Sequence, residues 1–151
     1  MKEKIIISAC LLGQKVRYDG KTKPVDGIMG LAKYYDIIPV CPECSGGLKI
    51  PRDPSEIVGD KVLSKNGRDV TSNYNDGAYW ASSVCRIYNV KLAVLKERSP
   101  SCGTHLIHNG KFDDGVIEGQ GITVRKLTKL GVKCINEDEA MELLRKLNEN
   151  K

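Results

Sequence analysis

A chain of 151 residues with 40% hydrophobic and 28% charged side chains has enough apolar material for one globular domain and needs no disulfide framework. Its formal net charge of +5, from 24 basic against 19 acidic side chains, is mild and scattered; it suits an anionic small molecule such as a nucleotide and argues against a nucleic-acid partner. The opening apolar run is far too short for a signal peptide or a membrane span, so the chain reads as cytoplasmic, where thiols stay reduced and six cysteines point to metal or catalysis.

Residues 4–9 (KIIISA) are a β-branched apolar run, read as a first strand ending at Cys10. Residues 27–35 (GIMGLAKYY) read as a helix, and DIIPV (36–40) as a second buried strand ending at Cys41. A stretch rich in Gly, Pro and charge follows at 45–68, long enough to mark a functional loop. Within it KVLSKNGRDV (61–70) predicts a small hairpin turning at Asn66-Gly67. Residues 69–72 offer N-cap chemistry for a long helix through 73–89, with Ala78, Ala81, Cys85 and Tyr88 near helical spacing. KLAVLKE (91–97) is a third strand, TVRKLTKL (123–130) a short helix stopped by Gly131, and VKCI (132–135) a fourth strand. EDEAMELLRKLNEN (137–150) closes the chain as an amphipathic helix with Ala140, Leu143, Leu144 and Leu147 on one face. Strands alternating with helices predict an α/β fold. The expectation is a single domain over residues 1–151, built as an open, mostly parallel, Rossmann-like sheet with helices on both faces.

Cys10 and Cys41 follow the first two strands, and Cys102 lies in the loop ERSPSCG after the third. Ligands of open parallel sheets gather at the carboxyl ends of the strands, so these three can converge. Cys134 lies inside a strand and Cys85 inside a helix, where both act as small apolar residues. The C-x-x-C of VCPECSGG leaves Cys44 ambiguous. A closed zinc site wants a second such pair, which is absent; a thioredoxin-like dithiol opens a helix after a strand, whereas this pair runs on into Gly-Gly-Leu. Spacing favours an iron–sulfur cluster over zinc without deciding between them. Arg17 and Arg52 suit a phosphate, though a surface arginine or a structural ion pair suits them equally. Gly119 and Gly121 lead to a helix N-terminus at Thr123, a natural anion site that turn geometry explains as well. His105 and His108 read as loop or strand-edge residues without a role.

Five segments carry a resemblance: SACLLGQKVRYDG (8–20), VCPECSGGLKIPRDPSEI (40–57), GRDVT (67–71), LKERSPSCG (95–103) and DDGVIEGQGIT (113–123). In this order they resemble the DUF523 family, whose characterised members are thiouracil desulfidases. The resemblance implies a [4Fe-4S] cluster on Cys10, Cys41 and Cys102, with the fourth iron free to take the substrate's sulfur as a transient [4Fe-5S] state. It also implies catalytic roles for Glu43 and Ser101. The family pattern does not require cysteine at position 44, where packing beside the site is the expected role. The reaction expected is non-redox replacement of a thiocarbonyl sulfur by oxygen on 4-thiouracil or its nucleoside or nucleotide, with Arg17, Arg52 and Thr123 as the binding residues for the monophosphate. The alternatives are a desulfidase acting on 4-thiouridine in tRNA and a non-catalytic zinc or iron–sulfur module.

Overall fold

Three consecutive isoleucines leave β1 (Glu3–Ser8) without a polar face, and it forms the buried middle of the molecule. Side chains alternate across a strand. Ile5 and Ile7 accordingly join one apolar cluster, with Ile28, Leu31, Ala140 and Leu144, while Ile6 joins another, with Ala81, Cys85, Val124 and Leu127. The computed structural model describes residues 2–150. Its main sheet has the order β2 (Tyr35–Val40), β1, β5 (Leu92–Val94), β8 (Lys133–Ile135), with every pair parallel. One face is covered by a 3₁₀ helix (Ile28–Lys33) and α4 (Glu137–Glu149), the other by α2 (Thr71–Ile87) and α3 (Ile122–Lys129). This is the open parallel α/β arrangement that the alternation of elements predicts. Among the described residues no helix is long and apolar enough to cross a membrane.

Local chemistry accounts for the element ends. Asn136 accepts from the Glu139 amide while the Glu139 carboxylate accepts from the Asn136 amide, a reciprocal cap that starts α4. Asp69 Oδ1 accepts from the Thr71 amide at 2.9 Å, so the expected polar start of α2 is supplied from just ahead of the helix.

Three expectations need correction. β2 is an edge strand, half-exposed rather than buried, as suits a strand that contains Pro39. The 27–35 segment is 3₁₀ rather than α-helical; two glycines in so short a piece disfavour a longer regular helix. The stretch at 45–68 is not an unstructured loop, because β3 (Ser55–Val58) and β4 (Lys61–Ser64) pair across Gly59-Asp60. The Asn66-Gly67 turn also forms, but only a single bridge, Leu63 to Asp69, follows it. A second hairpin, β6 (Leu106–His108) with β7 (Val116–Glu118), has no alternating pattern strong enough to announce it.

Candidate active site

The chain passes from β1 to the edge strand β2 and then returns to the other side of β1 as β5, so strand order reverses beside β1. Crevices at the carboxyl ends of strands form at such switch points. Here Cys10 lies in the 3₁₀ turn Ala9–Leu12 just after β1, and Cys41 is the N-cap of the one-turn helix α1 (Pro42–Ser45) just after β2. Cys102 lies in the loop that follows β5. All three line a single cavity of about 500 Å³, together with Glu43, Arg17 and Arg52.

Cys10 and Cys102 are buried and Cys41 is half-buried. Burial pushes each thiol up: Cys41 to about 12, Cys10 and Cys102 also above the ordinary range, with Lys96 and Arg17 partly offsetting it at Cys10. As bare thiols they stay protonated at neutral pH. A metal centre, which takes thiolate and releases the proton, is the partner that reverses this.

Glu43 is held from several sides in the cavity. Its Oε1 accepts from the Tyr74 hydroxyl at 3.0 Å and from Arg52 Nε at 3.3 Å, and its Oε2 accepts from Ser99 Oγ at 3.2 Å. Arg52 adds an ion pair through Nη2 at 3.3 Å. The helix that carries Glu43 is seated directly on α2. A Cβ at Gly77 would lie 2.0 Å from the Pro42 carbonyl oxygen, so only glycine allows this approach. Asn73 Nδ2 donates to the Gly46 carbonyl at 2.9 Å and fastens the other end of the turn.

The loop bearing Cys102 hangs on Glu97. Burial alone would raise that carboxyl, but hydrogen bonds from Asn136, Leu106, His105 and Thr104 outweigh it and bring the pKa down to about 2. Thr104 contributes both its amide, at 2.7 Å, and its hydroxyl, at 2.8 Å. Inside the loop, Ser99 Oγ accepts from the amides of Ser101 (3.0 Å) and Cys102 (3.1 Å).

Two of the expected site residues do not line the cavity wall. Ser101 is buried, with its side chain hydrogen-bonded to the Cys102 thiol and its Oγ 2.8 Å from Thr123 Oγ1; Ser99 is the serine that meets Glu43. Thr123 is wholly buried and does not line the cavity. The amides at the start of α3 are already spent: Gly121 donates to Gly103 (2.8 Å), Ile122 to Pro100 (2.8 Å) and Thr123 to Ser101 (2.9 Å). The glycine at 121 serves that contact, since a Cβ there would lie 2.4 Å from the Ser101 carbonyl.

Arg52 also differs from expectation. Its side chain is 9% exposed, and besides Glu43 it donates to the Val16 and Lys49 carbonyls at 3.0 Å each. A guanidinium so committed orients Glu43. Arg17 pairs with Asp19 at 3.6 Å, stacks over Tyr18 and lines the cavity. Sequence reading missed Tyr74, Ser99, Lys23, Lys65 and Arg98, which share the cavity wall, and Glu97, which also carries the Cys102 loop. It also gave no role to His108, whose Nδ1 is buried without a partner at the same wall. Cys85 and Cys134 pack in and against the core on the α2 side. Cys44 does not line the cavity.

Residues 5–139 match the family described as 2-thiouracil desulfurase. The chain belongs to the 2-thiouracil desulfurase family. A relative of this family member, the uncharacterised Bacillus subtilis (strain 168) protein YbbK, is 35% identical over 150 residues, covering 93% of this chain and 99% of YbbK. Among solved structures, the [4Fe-4S]-dependent thiouracil desulfidase TudS, a DUF523 protein, superposes with a TM-score of 0.90 at 42% identity, over 97% of this chain and 99% of that one. The fold read from the sequence agrees with the solved structure, and the resemblance agrees with both the family match and that structure.

The donor set of this desulfurase-family chain suits a cluster better than a single ion. Among the described residues no three His, Cys, Asp or Glu side chains stand close enough together to hold one metal ion. The three thiols line one cavity of about 500 Å³, and thiolates are the donors that hold iron–sulfur clusters.

Proposed function

We propose that this chain is a [4Fe-4S]-dependent desulfidase that converts thiolated pyrimidines to the uracil compound and sulfide, with Cys10, Cys41 and Cys102 as cluster ligands. The observation that carries the reading is one cavity lined by three strand-end cysteines and by a carboxylate held from three sides. It is read as one functional unit over residues 1–151, acting in the cytoplasm on a small molecule. When bound, the cluster supplies a thiophilic iron with an open position that polarises C=S and accepts the departing sulfur.

The chain's own residues supply the rest. Replacing C=S by C=O consumes one water and releases hydrogen sulfide, without net electron transfer. Glu43 is the general base for that water and returns the proton to the leaving sulfur. Tyr74, Arg52 and Ser99 fix the direction of its carboxylate, so the proton moves at a defined oxygen. Ser99, whose Oγ lies 3.2 Å from Glu43 Oε2, is a hydroxyl able to relay it. Burial of the thiols and the walls of the cavity exclude bulk water from the reacting carbon.

The substrate form we favour is the nucleoside monophosphate. Arg17, Lys23, Lys65 and Arg98 line the cavity, and the last three make no ion pair among the described residues. Such charge beside the reacting base gives remote binding energy that orients C=S. The test is anaerobic iron and sulfide analysis, followed by turnover of 4-thiouracil, its nucleoside, its monophosphate and thiolated tRNA. Four irons per chain with the highest kcat/KM for the monophosphate is the expected result. Zinc in place of iron overturns the cluster, equal rates for base and monophosphate overturn the phosphate site, and preference for tRNA overturns the small-molecule reading.

A further inference from the structure

Cys44 lies outside the cavity wall, yet its position is specific. The sequence ran on into glycines, which told against a dithiol couple; the structure nevertheless opens a helical turn directly after β2, with Cys41 as its N-cap and Cys44 three residues on. That is the strand-to-helix setting in which C-x-x-C pairs work. Helical rise and radius put Cα atoms three residues apart at about 5 Å, inside the roughly 4.4–6.8 Å window of disulfides. Both side chains also point the same way. Cys41 Sγ lies 4.0 Å and Cys44 Sγ 3.8 Å from one acceptor, the Val16 carbonyl oxygen. Arg52 Nη1 approaches Cys44 Sγ at 3.9 Å while its Nη2 donates to the same Val16 carbonyl, so the two thiols share one enclosed corner. Cys85 sits in α2 and Cys134 in β8, each within regular structure of its own.

We propose that Cys41 and Cys44 form a thiol–disulfide couple that takes a hydroperoxide as oxidant whenever the cavity holds no cluster. One of the two sulfurs takes a peroxide oxygen, the O–O bond breaks, and water leaves with that thiol's proton. The other sulfur then attacks the resulting sulfenic sulfur, the S–S bond forms, and a second water carries off the hydroxyl and the second thiol proton. In sum two thiols and one hydrogen peroxide give one disulfide and two waters, with the sulfurs oxidised by two electrons and the peroxide reduced by two. The bond withholds one of the three proposed ligands and is reversible. A dithiol reductant returns it to service. This use of the couple rests on the desulfidase reading; its formation does not.

The test uses the full chain isolated in air without iron, exposed to hydrogen peroxide and mapped by mass spectrometry without reduction. The peptide spanning both residues is expected to lose two hydrogens, while Cys85 and Cys134 remain alkylatable. Iron uptake after oxidation should be lost and then restored by dithiothreitol. Cys44→Ser should take up iron like the parent before oxidation, and after it should form no disulfide at Cys41 and still load. A parent chain with Cys41 as sulfinic acid, or bonded to Cys10 or Cys102, overturns the couple. So does a Cys44→Ser chain that folds but cannot take up iron, since Cys44 would then be a ligand. If the disulfide maps as expected but no reduced chain ever binds iron, the couple stands and the proposed function fails.

Discussion

Replacing Gly77 by alanine tests whether the seat of α1 on α2 sets the geometry of the site. The new Cβ would meet the Pro42 carbonyl oxygen at 2.0 Å and its carbon at 2.7 Å, both backbone atoms that cannot swing aside. Ordinary contact begins at 3.4 Å, so the turn bearing Cys41 and Glu43 must retreat by about 1.4 Å. Stability alone reports this poorly. Overpacking costs about 1–3 kcal/mol, but alanine within a helix recovers up to about 1 kcal/mol relative to glycine. The net loss is about 0–3 kcal/mol, or up to about 10 °C in Tm for a chain of this size. Activity is the sensitive readout, because a displacement of about 1 Å at a reacting group can cost about 10²-fold. We expect kcat/KM for 4-thiouracil to fall by about 10²-fold or more, with a modest shift in the melting curve. Wild-type kcat/KM in a chain whose iron content is also normal would show that the Pro42–Gly77 contact does not position Glu43.

Glu43→Gln should keep the cluster and lose about 10²–10⁴-fold in turnover, the range of general acid–base catalysis; near wild-type rates would remove it from that role. Alanine at Cys10, Cys41 or Cys102 should abolish iron retention after anaerobic reconstitution, whereas alanine at Cys85 or Cys134 should not; a Cys10→Ala chain with a full cluster would break the ligand set. Glu97 gives a pH signature. Its folded pKa of about 2 lies below the ordinary 4.5, so its contribution to stability is complete above about 4.5 and fades as pH falls toward 2. Discounted for solvent screening, that contribution is about 1–2 kcal/mol, so denaturant unfolding of the parent and Glu97→Gln should differ near neutral pH and converge in acid; a gap that stays constant would refute it.

The fold was legible wherever side-chain pattern alone decides structure. The isoleucine run of β1, the leucine face of α4 and the small residues along α2 each admit one arrangement, and their alternation predicts the parallel sheet. The hairpins were less so. Asn66-Gly67 is the stronger turn sequence, but pairing of Ile57 with Val62 selects Gly59-Asp60 as the main turn. At the site, strand ends located Cys10, Cys41 and Cys102 because topology brings such positions together. Individual side-chain directions were not legible. Ser101 is nearer Cys102 in sequence, yet the loop reverses so that Ser99 faces Glu43. Thr123 begins a helix, but whether its amides are free depends on the Cys102 loop packed against them. Arg52 reads as a free cation until its partners Val16 and Glu43, which lie 36 and 9 residues away, are in place.

The ends of the main sheet bear on how this molecule behaves in a crowded solution. A strand border with unused amides and carbonyls is a template on which another chain can grow. Here one border, β2, carries Pro39, which has no amide hydrogen to offer a newcomer, and the other, β8, is only three residues long. Growth of the main sheet by strand addition is discouraged in both directions. A protein whose inner strands bury Ile5, Ile6, Ile7, Ala93 and Val94 thereby keeps that stickiness to itself.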